Sequence, residues 1–290
     1  MCDKDHFEED LEKYIRAGRV TRRDFGTLTA GVGLAMMLPR AANAQAVSER
    51  EVEIRTPDGV CDAYFVYPSS GAHAAVLVWP DILGLRPAFR QMGKRLAESG
   101  YSVLTVNPFY RGKRAPVVPE GATFNQETRA IVGPLAGQLN ATTHVTDARA
   151  FVEWLDQQPQ VDRNRGIGTT GYCMGGPITM RTAAALPNRV AAAASFHGGG
   201  LVTQNPDSPH LLVPQMKAQY LFAVAENDDM REPEAKNVLR DAFAKANLQA
   251  EIEVYPAAHG WCPPDSAVYD EAQAERAWSR LLVLFERALA

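Results

Sequence analysis

Gly171-Tyr172-Cys173-Met174-Gly175-Gly176 joins two apolar segments of different type. Residues 165–170 are partly β-branched and resemble a short strand, whereas residues 177–186 have the pattern of a buried helix. Glycines two positions before and two positions after Cys173 permit a sharp turn without a Cβ clash. Such a junction is typical of a nucleophile elbow, and the helix N-terminus behind it favours a thiolate. The alternative interpretation is a small buried cysteine in a glycine-rich turn.

A carboxylate should follow the elbow along the chain, because enzymes with this elbow carry nucleophile, acid and base in that order. Residues 218–225 have the pattern of a buried strand and lead directly into Glu226-Asn227-Asp228-Asp229. We predict that Asp228 is the acid, with its neighbour Asp229 as the alternative. Glu226 still lies on or beside the strand. An acidic turn at this point could also cap the next helix.

His259 is the one histidine among six that follows this acidic loop, so the chain order leaves no other base. Residues 249–255 alternate as a strand does and place His259 on the loop after it. His197 begins a His-Gly-Gly-Gly motif that matches an oxyanion signature of some lipases, but that signature belongs upstream of the nucleophile. We expect His197 to lie in a loop after a strand, where it could line the pocket.

The chemistry of a thiol nucleophile explains why these residue types are needed together. Imidazole takes the proton of Cys173, and the carboxylate holds the ring of His259 in the useful tautomer. The oxyanion then needs backbone N–H donors. We predict Met174, directly after the nucleophile, as one donor and Ile82, in the loop after the strand at residues 74–79, as the other.

Four segments together resemble the dienelactone hydrolase family: the elbow, residues 79–84, Asn227-Asp228 and residues 259–261. The resemblance extends over residues 50–289. It implies an α/β protein with the α/β-hydrolase fold, in which helices flank a mostly parallel central sheet of about eight strands. It also implies hydrolysis of small carboxylic esters or lactones.

The triad that the resemblance implies maps onto Cys173, Asp228 and His259. An acyl-enzyme on the cysteine would follow from it. Within enzymes, an unspecific carboxylesterase or a thioesterase is the alternative. A protein of another class, a non-hydrolytic binding or thiol redox-sensing protein on the same fold, would show a reactive thiol without turnover.

Two positions depart from the family members that cleave dienelactones. Those members carry a glutamate near the resting cysteine and an arginine four positions after the catalytic histidine; this chain has Asp81 and Pro263 there. Arg111 lies near their other substrate-binding arginine, one position out of register. We predict Asp81, Arg111 and Trp261 as substrate-binding residues. We also expect a preference for neutral esters over acidic dienelactones.

The composition indicates a soluble globular enzyme of 290 residues, with 46% hydrophobic residues, 22% charged residues and a formal charge of −4. Lysines and arginines are dispersed and number 30 against 34 acids, which argues against nucleic-acid binding. No CxxC, HExxH, P-loop or dinucleotide motif occurs, so we expect neither a metal nor an organic cofactor. We expect a monomer.

Strand and helix patterns alternate to the C-terminus without a linker or repeat, which predicts one α/β domain over residues 45–290. Residues 108–140 are rich in proline and glycine and ambiguous, and could form a cap or pocket rim. Residues 266–289 have the apolar stripe of an amphipathic closing helix.

The N-terminus has a different character. Arg22-Arg23 precede a short apolar run at residues 27–38, and Ala42-Asn43-Ala44 has the form of a cleavage site. We therefore predict that residues 1–44 are a twin-arginine signal. The export machinery would be the partner of this signal and the periplasm the destination of the protein, and we expect no stable membrane anchor. In that oxidising compartment a Cys61–Cys262 disulfide is permitted, but we do not expect it, because the two cysteines belong to distant parts of the predicted fold.

Overall fold

A single eight-stranded sheet forms the centre of the computed structural model, which describes residues 38–39 and 44–290. The predicted export signal thus lies almost wholly outside the described residues. The strands are β1 (Val47–Thr56), β2 (Gly59–Pro68), β3 (Ala75–Trp79), β4 (Ser102–Val106), β5 (Ile167–Tyr172), β6 (Val190–Phe196), β7 (Gln219–Ala225) and β8 (Ala250–Tyr255). Their spatial order is β1-β2-β4-β3-β5-β6-β7-β8.

The direction of the strands divides the sheet into two parts. β2 pairs antiparallel with both β1 and β4, whereas every pair from β4 to β8 is parallel. Parallel strands need long crossover connections, and the helices supply them. The predicted α/β fold with a mostly parallel sheet is confirmed.

Helices cover both faces of the sheet. They are α1 (Pro87–Glu98), α2 (Gln126–Ala136), α3 (Ala141–Asp156), α4 (Gly175–Ala185), α5 (Glu226–Arg231), α6 (Ala235–Lys245) and α7 (Glu271–Ala288), with a 3₁₀ helix at Pro209–Gln215. None of the described helices is long and apolar enough to cross a membrane.

The core consists of two layers separated by the sheet. On one face, Phe89 of α1 and Phe285 of α7 join a cluster of buried side chains that includes Phe196 of β6. On the other face, Phe151 of α3 and Phe243 of α6 pack against other strand residues. Because both faces are covered, β3 and β4 are apolar or buried along their whole length. Burying each large aromatic side chain contributes about 1.5–3 kcal/mol to stability.

Residues 108–140, ambiguous in the sequence, contain helix α2. Its first turn is stabilised by a capping box, in which the side chain of Asn125 accepts hydrogen bonds from the N–H groups of Glu127 and Thr128. The segment contributes to a small apolar cluster beside the elbow, which we call the rim cluster; its buried members are Leu83, Phe109, Val117, Val118 and Val132. The predicted closing helix is shorter than expected, because α7 begins at Glu271.

Candidate active site

Cys173 lies at the turn between β5 and α4 with a left-handed backbone conformation, φ 53°. A non-glycine residue rarely adopts this region, and such strain is concentrated at functional sites. The glycines on either side are sterically required. A Cβ on Gly171 would lie 2.1 Å from the carbonyl oxygen of Gly175, and a Cβ on Gly175 would lie 2.4 Å from that of Trp79. Close packing of β3, β5 and α4 therefore forces the cysteine into the sharp turn.

Asp228 is the carboxylate that contacts the histidine. Nδ1 of His259 lies 2.6 Å from Oδ2 of Asp228, whereas Asp229 forms an ion pair with Lys236 at 2.5 Å. An imidazole that donates its Nδ1–H to a carboxylate has its lone pair on Nε2, as a general base requires. The predicted acidic loop is helical: Asp228 lies on α5, directly after β7.

Asn227 holds the histidine by its backbone. Its Oδ1 accepts a hydrogen bond of 2.8 Å from the N–H of His259. The Asn227 and Asp228 side chains of one short helix thus fix both the main chain and the ring of His259. This role of Asn227 was not predicted from the sequence, although its position beside Asp228 was a signal for it.

His197 lies behind the proposed site, where it is fully buried. Its Nδ1 accepts a hydrogen bond of 3.2 Å from the backbone N–H of Cys173. Its ring is 5.0 Å from that of His259 and 5.1 Å from that of Trp261, between centroids. The expectation that His197 could line the pocket is wrong for this structure, since no part of the side chain is exposed. Burial, and the neighbouring His259, hold the pKa of His197 well below its usual value.

Trp261 is also fully buried. Its indole stacks on the ring of Tyr255, with centroids 5.3 Å apart and planes 19° apart. The indole ring meets the ring of His197 edge-to-face, and contact with a substrate would require the side chain to become exposed. Its geometry is that of a packing residue rather than the substrate-binding residue predicted from the sequence.

Met174 and Ile82 are the predicted oxyanion donors. The loop that carries Ile82 lies next to the start of α4, where Met174 is found. Met174 is the N-cap residue of α4, and its side chain packs against the rim cluster, as does that of Ile82. The loop that carries Ile82 is held by Asp81, whose Oδ1 accepts the N–H of Leu83 at 2.9 Å. A fixed loop next to the start of α4 is compatible with a pair of backbone donors, and the donor roles stay predictions.

Asp81 forms an ion pair with the buried Arg86. Its two oxygens accept hydrogen bonds of 2.6 and 3.0 Å from Arg86. The same guanidinium donates to both oxygens of Asp265, at 2.6 and 2.9 Å. Arg86 is 6% exposed and thus joins the loop after β3 to the loop that follows His259. We call this set of three residues the loop clamp; its members are too far apart in the chain for a local sequence pattern to predict it.

Arg111, the predicted substrate-binding cation, is held by two carboxylates. It donates to both oxygens of Asp147, at 2.7 and 2.8 Å, and to Asp58, at 2.6 and 3.1 Å. Its guanidinium also lies 4.6 Å from the centroid of the Tyr110 ring. The cation therefore has internal partners on α3 and on the turn between β1 and β2.

In the part of the chain that the structure describes, the other cysteines are Cys61 and Cys262, which are buried and not joined in a disulfide. Cys61 donates to the carbonyl oxygens of Asp62 and Asn107, and burial raises the pKa values of Cys61 and Cys262. They belong to clusters on opposite faces of the sheet, so the expectation that they do not form a disulfide agrees with the structure. Among the described residues, no group of three or more His, Cys, Asp or Glu side chains could hold a metal ion.

Comparison with known proteins shows the family of the chain. The sequence profile of the dienelactone hydrolase family matches residues 61–289. The chain belongs to the dienelactone hydrolase family. The carboxymethylenebutenolidase of Rhodococcus opacus is 27% identical over 243 residues, which cover 81% of this chain and 90% of the relative. The protein is accordingly a hydrolase with the α/β fold of this family.

Two further relatives extend the comparison. A Salmonella typhi protein, provisionally named carboxymethylenebutenolidase, is 27% identical over 253 residues, covering 80% of this chain and 90% of the relative. A solved structure from Klebsiella pneumoniae, provisionally assigned as a dienelactone hydrolase, has a TM-score of 0.72 at 23% identity. It covers 84% of this chain and 100% of that one, and it shows the same fold.

Proposed function

We propose that this dienelactone hydrolase family member cleaves small carboxylic esters or lactones through a triad of Cys173, His259 and Asp228. The observation that supports the triad most is the 2.6 Å contact between His259 Nδ1 and Asp228 Oδ2. It occurs at the carboxyl end of the sheet, where β5 ends in the left-handed turn of Cys173. A strained nucleophile and an oriented base are the two parts that acyl transfer requires.

The proposed reaction has two halves. The Cys173 thiolate attacks the carbonyl carbon, and the electron pair of the C=O bond moves to the oxygen, where the N–H groups of Met174 and Ile82 stabilise it. When the carbonyl re-forms, the C–O bond to the leaving group breaks, and His259 gives that oxygen a proton. Water then attacks the thioester with His259 as base, which releases the carboxylic acid and the thiol.

We infer that neutral substrates are preferred over acidic ones. Arg86 and Arg111 each donate to two carboxylates of the protein, so a substrate carboxylate would have to compete with these internal partners. The rim cluster beside Met174 is apolar. We therefore expect kcat/KM to be higher for a neutral nitrophenyl ester than for a carboxylate-bearing dienelactone. A wild-type preference for the dienelactone that disappears in Arg111→Ala would contradict this inference.

The experiment that tests the proposed function is the removal of the nucleophile. Cys173→Ala should fold as the wild type does and lose ester hydrolysis, while Cys61→Ala, a buried thiol in β2, should keep it. Hydrolysis by Cys173→Ala at the wild-type rate would disprove the triad. A burst of one product per protein without further turnover in the wild type would instead favour a thiol-reactive binding or redox-sensing protein.

We also propose that residues 1–44 direct the enzyme through the twin-arginine pathway to the periplasm. The support is the Arg22-Arg23 pair before the apolar run and the small residues at 42–44. Replacing both arginines by lysine should trap the precursor in the cell, because the pathway distinguishes guanidinium from ammonium groups. Unchanged periplasmic recovery of the double lysine variant would count against this signal.

A further inference from the structure

His197 is a buried histidine that the proposed triad does not use. It follows directly after β6 with φ 40°, a left-handed conformation, and its N–H donates to the carbonyl oxygen of Ala223 at 2.8 Å. The main chain of His197 is thus tied to the neighbouring strand β7. Its side chain contacts both the nucleophile and the base of the proposed triad.

The contact with the nucleophile fixes the tautomer of His197. The donor is the backbone N–H of Cys173, so Nδ1 must be the acceptor and the ring proton lies on Nε2. Within the described part of the chain, Nε2 is buried without a hydrogen-bond partner. A buried unpaired N–H is costly, and an apolar ring would avoid the cost. What a histidine supplies here, and a phenylalanine would not, is the acceptor for Cys173.

The N–H of Cys173 is shared. It also donates to the carbonyl oxygen of Phe196 at 3.1 Å. Two acceptors from consecutive residues of the β6 end therefore hold the strained turn of the nucleophile. Loss of one acceptor would loosen the turn without unfolding it.

The contact with the base is edge-to-face. The rings of His197 and His259 are inclined by 64°, and Trp261 meets His197 at 66° from another side. Asp228 holds Nδ1 of His259, and His197 supports the ring. The titratable groups around His197 are Tyr172, Cys173 and His259, and the ring of Tyr172 is 6.1 Å away. Burial keeps His197 neutral, so it does not oppose a positive charge on His259 during turnover.

We propose that His197 is a positioning residue for this reaction: its Nδ1 holds the backbone of Cys173, and its ring holds that of His259. The proposal rests on the proposed function. It requires that the loss of His197 lowers kcat while leaving substrate binding intact, because a fully buried side chain does not touch the substrate.

Two substitutions separate the two contacts. His197→Asn places an amide oxygen where Nδ1 was and tolerates the positive φ, so it keeps the acceptor and loses the ring. His197→Phe keeps a ring and loses the acceptor. The matched control is His144→Phe, since His144 is a buried histidine of α3 away from the elbow. Steady-state kinetics with a nitrophenyl ester, the rate of Cys173 alkylation by iodoacetamide and Tm would be measured for all three.

Both His197 variants should lower kcat about 10- to 100-fold with KM changed little, the effect of a small displacement of reacting groups. His197→Phe should also slow the alkylation of Cys173, while His197→Asn should not. His144→Phe should keep the wild-type kcat. A wild-type kcat in His197→Phe would overturn the acceptor role, and a wild-type kcat in His197→Asn would overturn the ring role. If the His197 variants lost kcat/KM only through a higher KM, or lost activity only in proportion to the fraction unfolded, both the acceptor role and the ring role would be overturned. An active Cys173→Ala would instead disprove the proposed function.

Discussion

Asp228 and Asp229 are neighbours in the chain, but they have different partners. Asp228 contacts His259, and Asp229 contacts Lys236. Asp228→Asn should lower kcat by about 10²- to 10⁴-fold, because the amide no longer holds the imidazole in the tautomer of a base. Asp229→Asn should change kcat little. Steady-state kinetics of the two variants, with Tm as a check on folding, decide the assignment; equal losses in both would contradict it.

For single residues, the types and their order along the chain were easier to predict from the sequence than their contacts. Chain order selects His259 among six histidines as the proposed base, and that role stays a prediction. The order could not separate Asp228 from Asp229, because consecutive residues of a helical turn point in different directions and only the packing of α5 selects one. Nor could it show that Arg111 is neutralised, since the partners of Arg111, Asp58 and Asp147, lie far away in the sequence.

At the scale of elements, the loop clamp joins two loops that border the elbow. Arg86→Gln leaves the buried carboxylate of Asp81 without its cation, so it should lower the free energy of unfolding by about 3–5 kcal/mol. It should also lower kcat, because the loop with Ile82 loses its anchor. Urea unfolding and kinetics well below the Tm of the variant measure the two effects.

The control for the loop clamp is Arg90→Gln on the same side of the sheet. Arg90 pairs with the exposed Glu51, so its loss should cost no more than about 1 kcal/mol and leave kcat unchanged. Equal stability of the Arg86 and Arg90 variants would show that the loop clamp contributes little. A wild-type kcat in Arg86→Gln would show that it does not position the loop.

Elements with a continuous apolar or amphipathic pattern were predictable, and elements without one were not. The strands and the larger helices carry continuous apolar or amphipathic patterns. Helix α2 contains Gly133-Pro134, which obscures its periodicity, and α5 has six residues and follows β7 without a break. β5 extends two residues further than predicted, through Gly171-Tyr172, because a glycine next to the turn resembles a strand end in the sequence.

At the scale of the whole molecule, buried histidines should make the fold sensitive to acid. Burial, with Arg181 and Arg111 nearby, lowers the pKa of His144 from 6.5 to about 3. The unfolded chain therefore binds a proton below pH 6.5 that the folded chain does not, so this stability is complete above pH 6.5 and is lost as the pH falls towards 3. His144 alone should account for about 2 kcal/mol between pH 7.5 and pH 5.

Urea unfolding of the wild type and of His144→Phe at the two pH values tests this. The difference in unfolding free energy between the two pH values should be smaller by about 2 kcal/mol in the variant. An identical difference in both proteins would mean that His144 is readily protonated in the folded state.

Alternating strand and helix patterns without a linker predicted a single α/β domain. The arrangement of a mostly parallel central sheet came from the resemblance to the dienelactone hydrolase family. Side-chain networks did not follow from either. The loop clamp and the packing of His197 join segments distant in the chain, and no local pattern encodes such contacts.

Identification of the acylated residue tests directly whether Cys173 is the nucleophile. The wild type would be mixed with a nitrophenyl ester, quenched in acid within the first turnovers, digested and analysed by mass spectrometry. We expect one acyl group, on the peptide that contains Cys173. In His259→Ala the ratio of acylated Cys173 to product formed should be higher than in the wild type, because hydrolysis of the thioester lacks its base. Wild-type turnover with no acylated Cys173 detected in the wild type or in His259→Ala would contradict the proposed role of Cys173. So would an acyl group on another residue that forms and hydrolyses at the rate of turnover.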